Sequence, residues 1–477
     1  MTAPCISPSA SLLLLAGLAA MTLGGCASDR AQNLGETQAT AQAIQVDVPV
    51  RALADTPFER LWDLRFPSPV WTCYTGAEVP DTLFFQLQSG ELAAVDALSG
   101  HTRWITEPLP ELLKLPPHAA RTKVSSSQPG VMVNEDRLYV VAQDVLTSYD
   151  IATGQVVWSY TLPFGASTGP CGVGADNNVR VFIGDWSGYL RVITLHPERK
   201  FPYLAWQWNL GASPLAQPVR SEDQVYLADH SGMVHSFRLD RNRAWAFDVG
   251  GAVNGAPAVR NRSLFVGGDD NVFYALNRLT GEELGRISLN GQVKRQPLVF
   301  DNEPERVFVW VESAEVGGLY AIRAQNDIVA GGDGQRPPRE VVRFAQEWYL
   351  PRADSLVAST PQYLYVTRSD KPAEVLAVSR SSGRVDWRLD LAAEQGGKMP
   401  SYIGSYLDPS DRLRTIVTGQ ANGLVVAYRF FGYVPVSDNA KLADAPVEGA
   451  KAPAKAPAKA PAKAEAATDE AAKPETP

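Results

Sequence analysis

The sharpest chemical signal in the sequence is one thiol at the end of an apolar run. Residues 12 to 23 are largely apolar, small residues follow, no side-chain charge precedes Asp29, and Leu23-Gly24-Gly25-Cys26 reads as a lipobox. In that chemistry a peptidase cuts before the Cys, whose sulfur takes a diacylglycerol in thioether linkage and whose new α-amine is acylated. Several acyl chains on one residue bury enough methylene groups for stable membrane anchoring, which one chain does not. Residues 1–25 are therefore expected to be a lipoprotein signal peptide and Cys26 the lipidated first residue of the mature chain. The first eleven residues carry no Lys or Arg, so only the α-amino group supplies the positive charge such a signal uses.

Other reactive residue types occur without a constellation. His101, His118, His196, His230 and His235 are scattered; the spacing of the last two puts them on opposite faces of one strand, unsuited to a shared metal. Asp269-Asp270-Asn271 and Asp176-Asn177-Asn178 have oxygen ligands of the kind calcium takes, but lack the spaced EF-hand pattern and sit where Asp and Asn favour turns. No phosphate loop or paired-Cys zinc motif is present. No catalytic residue, cofactor site or metal site is assigned. A net charge of -8 argues against nucleic acid, whose affinity comes largely from cations neutralising phosphates.

The elements that carry these residues repeat. SGELAAVDALSGHTRW (89–104) and QDVLTSYDIATGQVVW (143–158) share one grammar: a turn, an alternating apolar strand ending in Asp, a Ser/Thr-Gly turn, and Trp four residues after the Gly. Six weaker copies begin at residues 185, 229, 269, 316, 373 and 421, each preceded by a short β-branched or aromatic run. Spacings of about 40 to 55 residues suit one four-stranded antiparallel blade per copy, which predicts an all-β, eight-bladed propeller. Period-2 alternation gives every sheet two apolar faces, so the blades must stack in a closed ring. The Trp slot is filled by Trp104, Trp158 and Trp387 through the Gly rule and by Trp208, Trp245 and Trp348 by approximate position; the fifth copy has Gly285 there. The eighth copy ends at Phe431 without a Trp strand, whereas FERLWDL (58–64) has Trp62 and no blade of its own. The N-terminal strand is expected to complete the last blade and close the ring. These Trp residues are expected to be structural, with indoles packed between blades and N–H groups bonded to backbone. Trp71, Trp186, Trp206 and Trp310 lie outside the slot and are the aromatics to inspect for ligand contact.

The motif xLxAxDxxTGxxxW resembles the PQQ-like β-propeller repeat over roughly residues 58 to 432. With the lipobox it is similar to the BamB family of lipoproteins, which belong to the outer-membrane β-barrel assembly machinery. The resemblance implies a non-enzymatic scaffold in the periplasm that presents its loops to protein partners in the cell envelope, the barrel-assembly complex among them. Ala27 rather than Asp resembles the signal for outer-membrane delivery. One alternative is a quinoprotein (PQQ-dependent) dehydrogenase or its accessory, though the adjacent Cys pair of several such enzymes is absent. Another is a propeller binding envelope polysaccharide or another ligand.

This organisation places residues 26–57 as the lipidated Cys with a flexible tether, 58–436 as the propeller, and 437–477, rich in Ala, Pro and Lys, as a disordered tail. Cys73 and Cys171 remain after the signal cysteine and Cys26. A disulfide between them would gain about 4 to 5 kcal/mol in the chain-entropy model, but they fall in equivalent inner regions of blades one and three, with blade two between. The pairing stays open on sequence.

Overall fold

The computed structural model describes residues 37–38, 43–46, 48–76, 79–107, 131–134, 136–142, 144–174, 179–196, 198–222, 224–239, 241–300, 303–314, 317–329, 339–397, 402–407 and 414–430. Cys26, the signal segment and the tail after residue 436 lie outside them. Alternating apolar residues and Gly-containing turns form eight antiparallel blades of four strands each. Blade one runs inside to outside as Val70–Gly76, Val79–Leu87, Leu92–Asp96 and Thr102–Ile105. Blades two to seven follow in chain order, with outermost strands Val156–Thr161, Pro202–Asn209, Arg243–Asp248, Glu283–Ser288, Arg339–Pro351 and Val385–Asp390. Blade eight takes its three inner strands from Tyr402–Leu407, Arg414–Gly419 and Leu424–Phe430, and its outer strand from Phe58–Arg65. Trp62 pairs there with Ala427. The N-terminal strand thus closes the ring.

Burial alternates as a stack requires. Leu83, Phe85, Ala93 and Val95 of blade one pack against Val417, Val425 and Ala427 of blade eight. Phe84, Leu92 and Ala94, on the opposite face, pack against Leu138, Val140 and Tyr149 of blade two. Similar clusters join each following pair up to blades six and seven. Between blades seven and eight, Phe58 meets the Tyr365 ring edge-on at 5.5 Å.

The lower face of the ring holds the described turns between third and fourth strands; the upper face holds the described second-to-third turns and links between blades. At the lower face four of the indoles cross to the next blade. The Trp62, Trp104, Trp245 and Trp348 N–H groups donate to the carbonyls of Ala97, Ile151, Arg278 and Arg380, at 3.0, 2.7, 2.9 and 2.9 Å. Each ring also lies on the next blade's turn glycine. A Cβ on Gly100, Gly154, Gly281 or Gly383 would stand 2.6–2.7 Å from that indole, and each of these glycines has φ between 70° and 75°. Only glycine meets both demands.

Cys73 and Cys171, whose pairing the sequence leaves open, are both free: they occupy the innermost strands of blades one and three, with that of blade two, Val131–Asn134, between them. Burial pushes both thiols up, that of Cys171 to about 12. Part of the stretch assigned to a flexible tether is instead a strap on the outer rim. Thr37–Gln38 pairs parallel with the outer strand of blade five, Ala43 with Tyr349 of blade six, and Val50–Arg51 with the outer strand of blade seven. Ile44, Val46 and Val48 pack on the cluster between blades six and seven. Those alternate apolar residues give the segment a β-strand's pattern, which composition alone hides.

Two truncations separate strap from closure. A chain starting at residue 57 loses the strap and is expected to melt a few degrees lower. A chain starting at residue 66 also loses the closing strand, reopens the ring, and is expected to melt at least about 10 °C lower still. Thermal unfolding followed by circular dichroism checks this, and equal melting of the two truncated chains would contradict closure by strand 58–65.

Candidate docking surface

On the upper face, blades three and four share a turn, Asp185-Trp186-Ser187-Gly188 and Asp229-His230-Ser231-Gly232. Both aspartates are fully buried. Asp185 Oδ1 accepts from the Ser187 N–H and O–H and from the Tyr189 N–H; Asp229 Oδ1 accepts equally from Ser231 and Met233. The second carboxylate oxygen is held by the Arg191 guanidinium in one blade and by His235 Nε2, at 2.9 Å, in the other. Burial works against the charged form of Asp229, but the hydrogen bonds from His235 and Ser231 outweigh it, so its pKa lies below the ordinary carboxylate value. Gly188 and Gly232 take φ of 82° and 99° to complete the turns.

This scaffold points the second turn residue outward. Trp186 is 58% exposed and His230 is exposed too. A backbone chain ties them to the link before blade three: the Trp186 N–H donates to Gly165 O, Ser213 Oγ to Trp186 O, and the His230 N–H to Ser213 O. Phe164, beside Gly165, is also 58% exposed, with the Arg191 guanidinium 5.7 Å from its ring centroid. Phe164, Trp186 and His230 therefore form an exposed row on rigid turns. Such a row suits a partner's apolar side chains, since large rings on ordered backbone lose little entropy on binding.

Of the aromatics expected outside the slot, Trp310 is buried and Trp71 half-buried. Trp62, Trp104, Trp158, Trp245, Trp348 and Trp387 hold equivalent positions in the outermost strands of blades eight, one, two, four, six and seven, each opposite the third-strand residue at the bulge. In blade three that position, opposite Val192, belongs to half-buried Trp206, edge-on to Phe182 at 5.9 Å, and not to the expected Trp208, which pairs with Leu190. The slot residues are not brought together. His235 is buried against Asp229 while His230 is at the surface, so the pair shares no ligand position. No group of three or more His, Cys, Asp or Glu suited to a metal occurs among the described residues. A cleft of about 550 Å³ between blades six and seven is lined by residues that include Arg295, Glu312, Arg352, Asp354 and Asp370. Those charges pair with one another: Arg295 with Glu312 and Asp354, Arg352 with Asp370. Sequence reasoning missed the docking row as a unit, because its members come from separate turns; the repeated Asp-x-Ser-Gly was the available signal.

Asp229 gives the site a pH signature. Its lowered value means its stabilisation is present above the unfolded pKa and is lost as pH falls through the folded one. Wild type is expected to lose more stability than Asp229→Asn as pH falls from about 5 to about 3, measured by urea unfolding at each pH.

The family model of the outer membrane protein assembly factor BamB matches residues 88–241 and 204–398, more than half of the chain. No curated protein matches the sequence. Among solved structures, BamB from Moraxella catarrhalis is similar at 14% identity, with a TM-score of 0.53, 79% of this chain and 99% of that one covered. The quinohemoprotein alcohol dehydrogenase of Comamonas testosteroni aligns at 10% identity and a TM-score of 0.51, covering 80% of this chain and 78% of its own. Alcohol dehydrogenase ADHIIG from Pseudomonas putida HK5 does so at 12% identity and 0.50, covering 82% and 79%. At such identities the structural likenesses show the propeller alone, common to the assembly factor and the enzymes. The repeat and the family match together place this chain in the family of the outer membrane protein assembly factor BamB.

Proposed function

We propose that this protein is a lipid-anchored scaffold of the periplasm that docks partners of outer-membrane β-barrel assembly on its upper face. The observation that carries this reading is the row of Phe164, Trp186 and His230, with Trp186 and His230 exposed on turns whose backbone is fixed by buried carboxylates and Phe164 exposed beside them. Family membership supplies the class of partner. The Leu23-Gly24-Gly25-Cys26 run supports anchoring through Cys26, and Ala27 supports the outer membrane as destination. A rigid ring has little to move during a reaction; its use is to hold surfaces at fixed separations.

Affinity purification of the full chain from solubilised membranes is expected to recover a barrel-assembly protein. Phe164→Ala/Trp186→Ala is expected to recover about tenfold less or worse while melting like wild type. Recovery of an unrelated complex, or undiminished recovery by the double variant, would overturn the reading. Anchoring has its own check: Cys26→Ser should move the protein from the membrane to the soluble fraction, and mass spectrometry of the wild-type N-terminal peptide should show the acyl chains.

A further inference from the structure

The strap shows how the rim of this ring is recognised. On blades five, six and seven it adds parallel pairing to the outer strand, always one to three positions after the Trp slot: Ile287 and Ser288 after Gly285, Tyr349 after Trp348, Arg388 and Leu389 after Trp387. Beside the blade six pairing, Ile44 reaches into the groove where Trp348 meets Gly383 of the next blade, and the Ile44 N–H donates to Tyr349 O at 2.9 Å. The strap's contribution is thus an extended backbone plus a branched apolar side chain beside the slot indole.

Blade two presents the same arrangement unfilled. Val156–Thr161 is the last strand of its sheet, and among the described residues no strand pairs with its outer side. The positions after Trp158 are Ser159, Tyr160 and Thr161, of which Ser159 and Thr161 are exposed. In the groove to blade three, where Ile44 sits in blade six, lies a cavity of about 290 Å³ lined by Asp136, Arg137, Tyr139, Val157, Trp158, Leu195 and Lys200. Val156 and Val157 are 58% and 47% exposed beside it, and Phe201 and Tyr203 of blade three are exposed as well. An open strand edge next to a recess with an apolar wall, here Tyr139, Val157, Trp158 and Leu195, is what strand addition uses: main-chain bonds supply affinity and alternate side chains supply selection.

We propose that the outer edge of blade two is a second docking site, taking an extended segment of a partner protein with apolar side chains at alternate positions, one of them in the cavity beside Trp158. This deepens the partner-docking reading above and fixes the partner's chemistry. The strap itself has that chemistry in Ile44, Val46, Val48 and Val50. Strands of outer-membrane barrels, with apolar residues alternating along them, have it too.

The test uses a labelled synthetic peptide of residues 42–51 as probe of that chemistry, titrated into the full-length protein and followed by fluorescence anisotropy. Saturable binding is expected. It should weaken about tenfold or more with Ser159→Lys, which puts a charge on the edge, and with a peptide carrying Asp in place of Ile44. Ser159 is exposed, so the variant is expected to melt like wild type. Phe164→Ala/Trp186→Ala should bind the peptide normally, so failure on the upper face and failure at this edge are told apart. Absence of binding would overturn the proposal. Binding that Ser159→Lys leaves unchanged would also overturn it, because the peptide would then be displacing the strap. Dimerisation of wild type that Ser159→Lys abolishes would overturn it in favour of a second copy's strap.

Discussion

The contact on which the ring depends is a tryptophan indole laid across a glycine of the neighbouring blade. Gly154 and Trp158 are close in sequence and belong to one blade, yet they serve opposite neighbours: Gly154 receives Trp104 from blade one, and Trp158 packs toward Leu195 and Leu204 of blade three. The repeat motif is therefore a head-to-tail connector, with a socket on one side and a plug on the other. Head-to-tail contacts generate rings when the rotation closes. The socket is built by the turn's first residue. Asp96 Oδ1 accepts from the Leu98 and Ser99 N–H groups, the Gly100 N–H returns to Asp96 O, and the next carbonyl, Ala97 O, is left to take the Trp62 N–H. Asp150 and Asn277 repeat this in blades two and five.

Two of the four joints without that contact show what it supplies. Blade five has Gly285 in the slot, and blade six lays two long strands, Gly318–Val329 and Arg339–Pro351, across that position. The Val342 carbonyl lies where a Cβ on Gly285 would be, and Phe344 fills the indole's space against Phe265 and Phe273 at 6.4 and 5.7 Å. A tryptophan would collide. At the seam, Trp387 of blade seven faces a blade whose lower turn does not exist, because its third strand ends at Phe430 and its fourth begins at Phe58. Trp387 is fully buried and its N–H has no acceptor among the described residues, while Phe58 meets it edge-on at 6.1 Å. An unmet buried donor costs about 1 to 3 kcal/mol, so this joint is weaker in kind than the others. The strap runs from that seam across blades seven, six and five, tying the closing strand to three blades beyond its own.

Much of this was legible because the connector is local. Asp, Gly and Trp at fixed offsets reveal the blades, and a missing Trp strand at one end with a spare Trp62 at the other reveals the closure. What stayed hidden depends on pieces distant in sequence. The strap's partners lie 250 to 350 residues downstream, and its apolar alternation, Ile44 to Val50, is broken by Gln, Asp and Pro that read as a linker. The upper-face row draws on three separate segments, so no window of sequence contains it. Trp186 could be marked only as lying outside the slot, because exposure is set by the turn geometry around Asp185 rather than by the Trp's immediate neighbours.

A division of labour follows from the connector's position. Lower turns are committed to structure: changing Gly100 or Asp96 disturbs a joint between blades. Upper turns lie at the other end of the third strand and carry no such joint, so their sequences are free to differ. They do differ, from Gln88-Ser89-Gly90 in blade one to Asp185-Trp186-Ser187-Gly188 in blade three and Gln420-Ala421-Asn422-Gly423 in blade eight. Asp185 and Asp229 make two of these turns as rigid as the lower ones while leaving the next side chain at the surface. Outer strands are a third case, since pairing on their far side costs the ring nothing. In blades five to seven the chain uses that freedom itself, and in blade two no described strand covers the same edge, which lies beside a recess. A repeat that must conserve its joints can thus vary its upper turns and its rim independently, which is what a scaffold holding more than one partner requires.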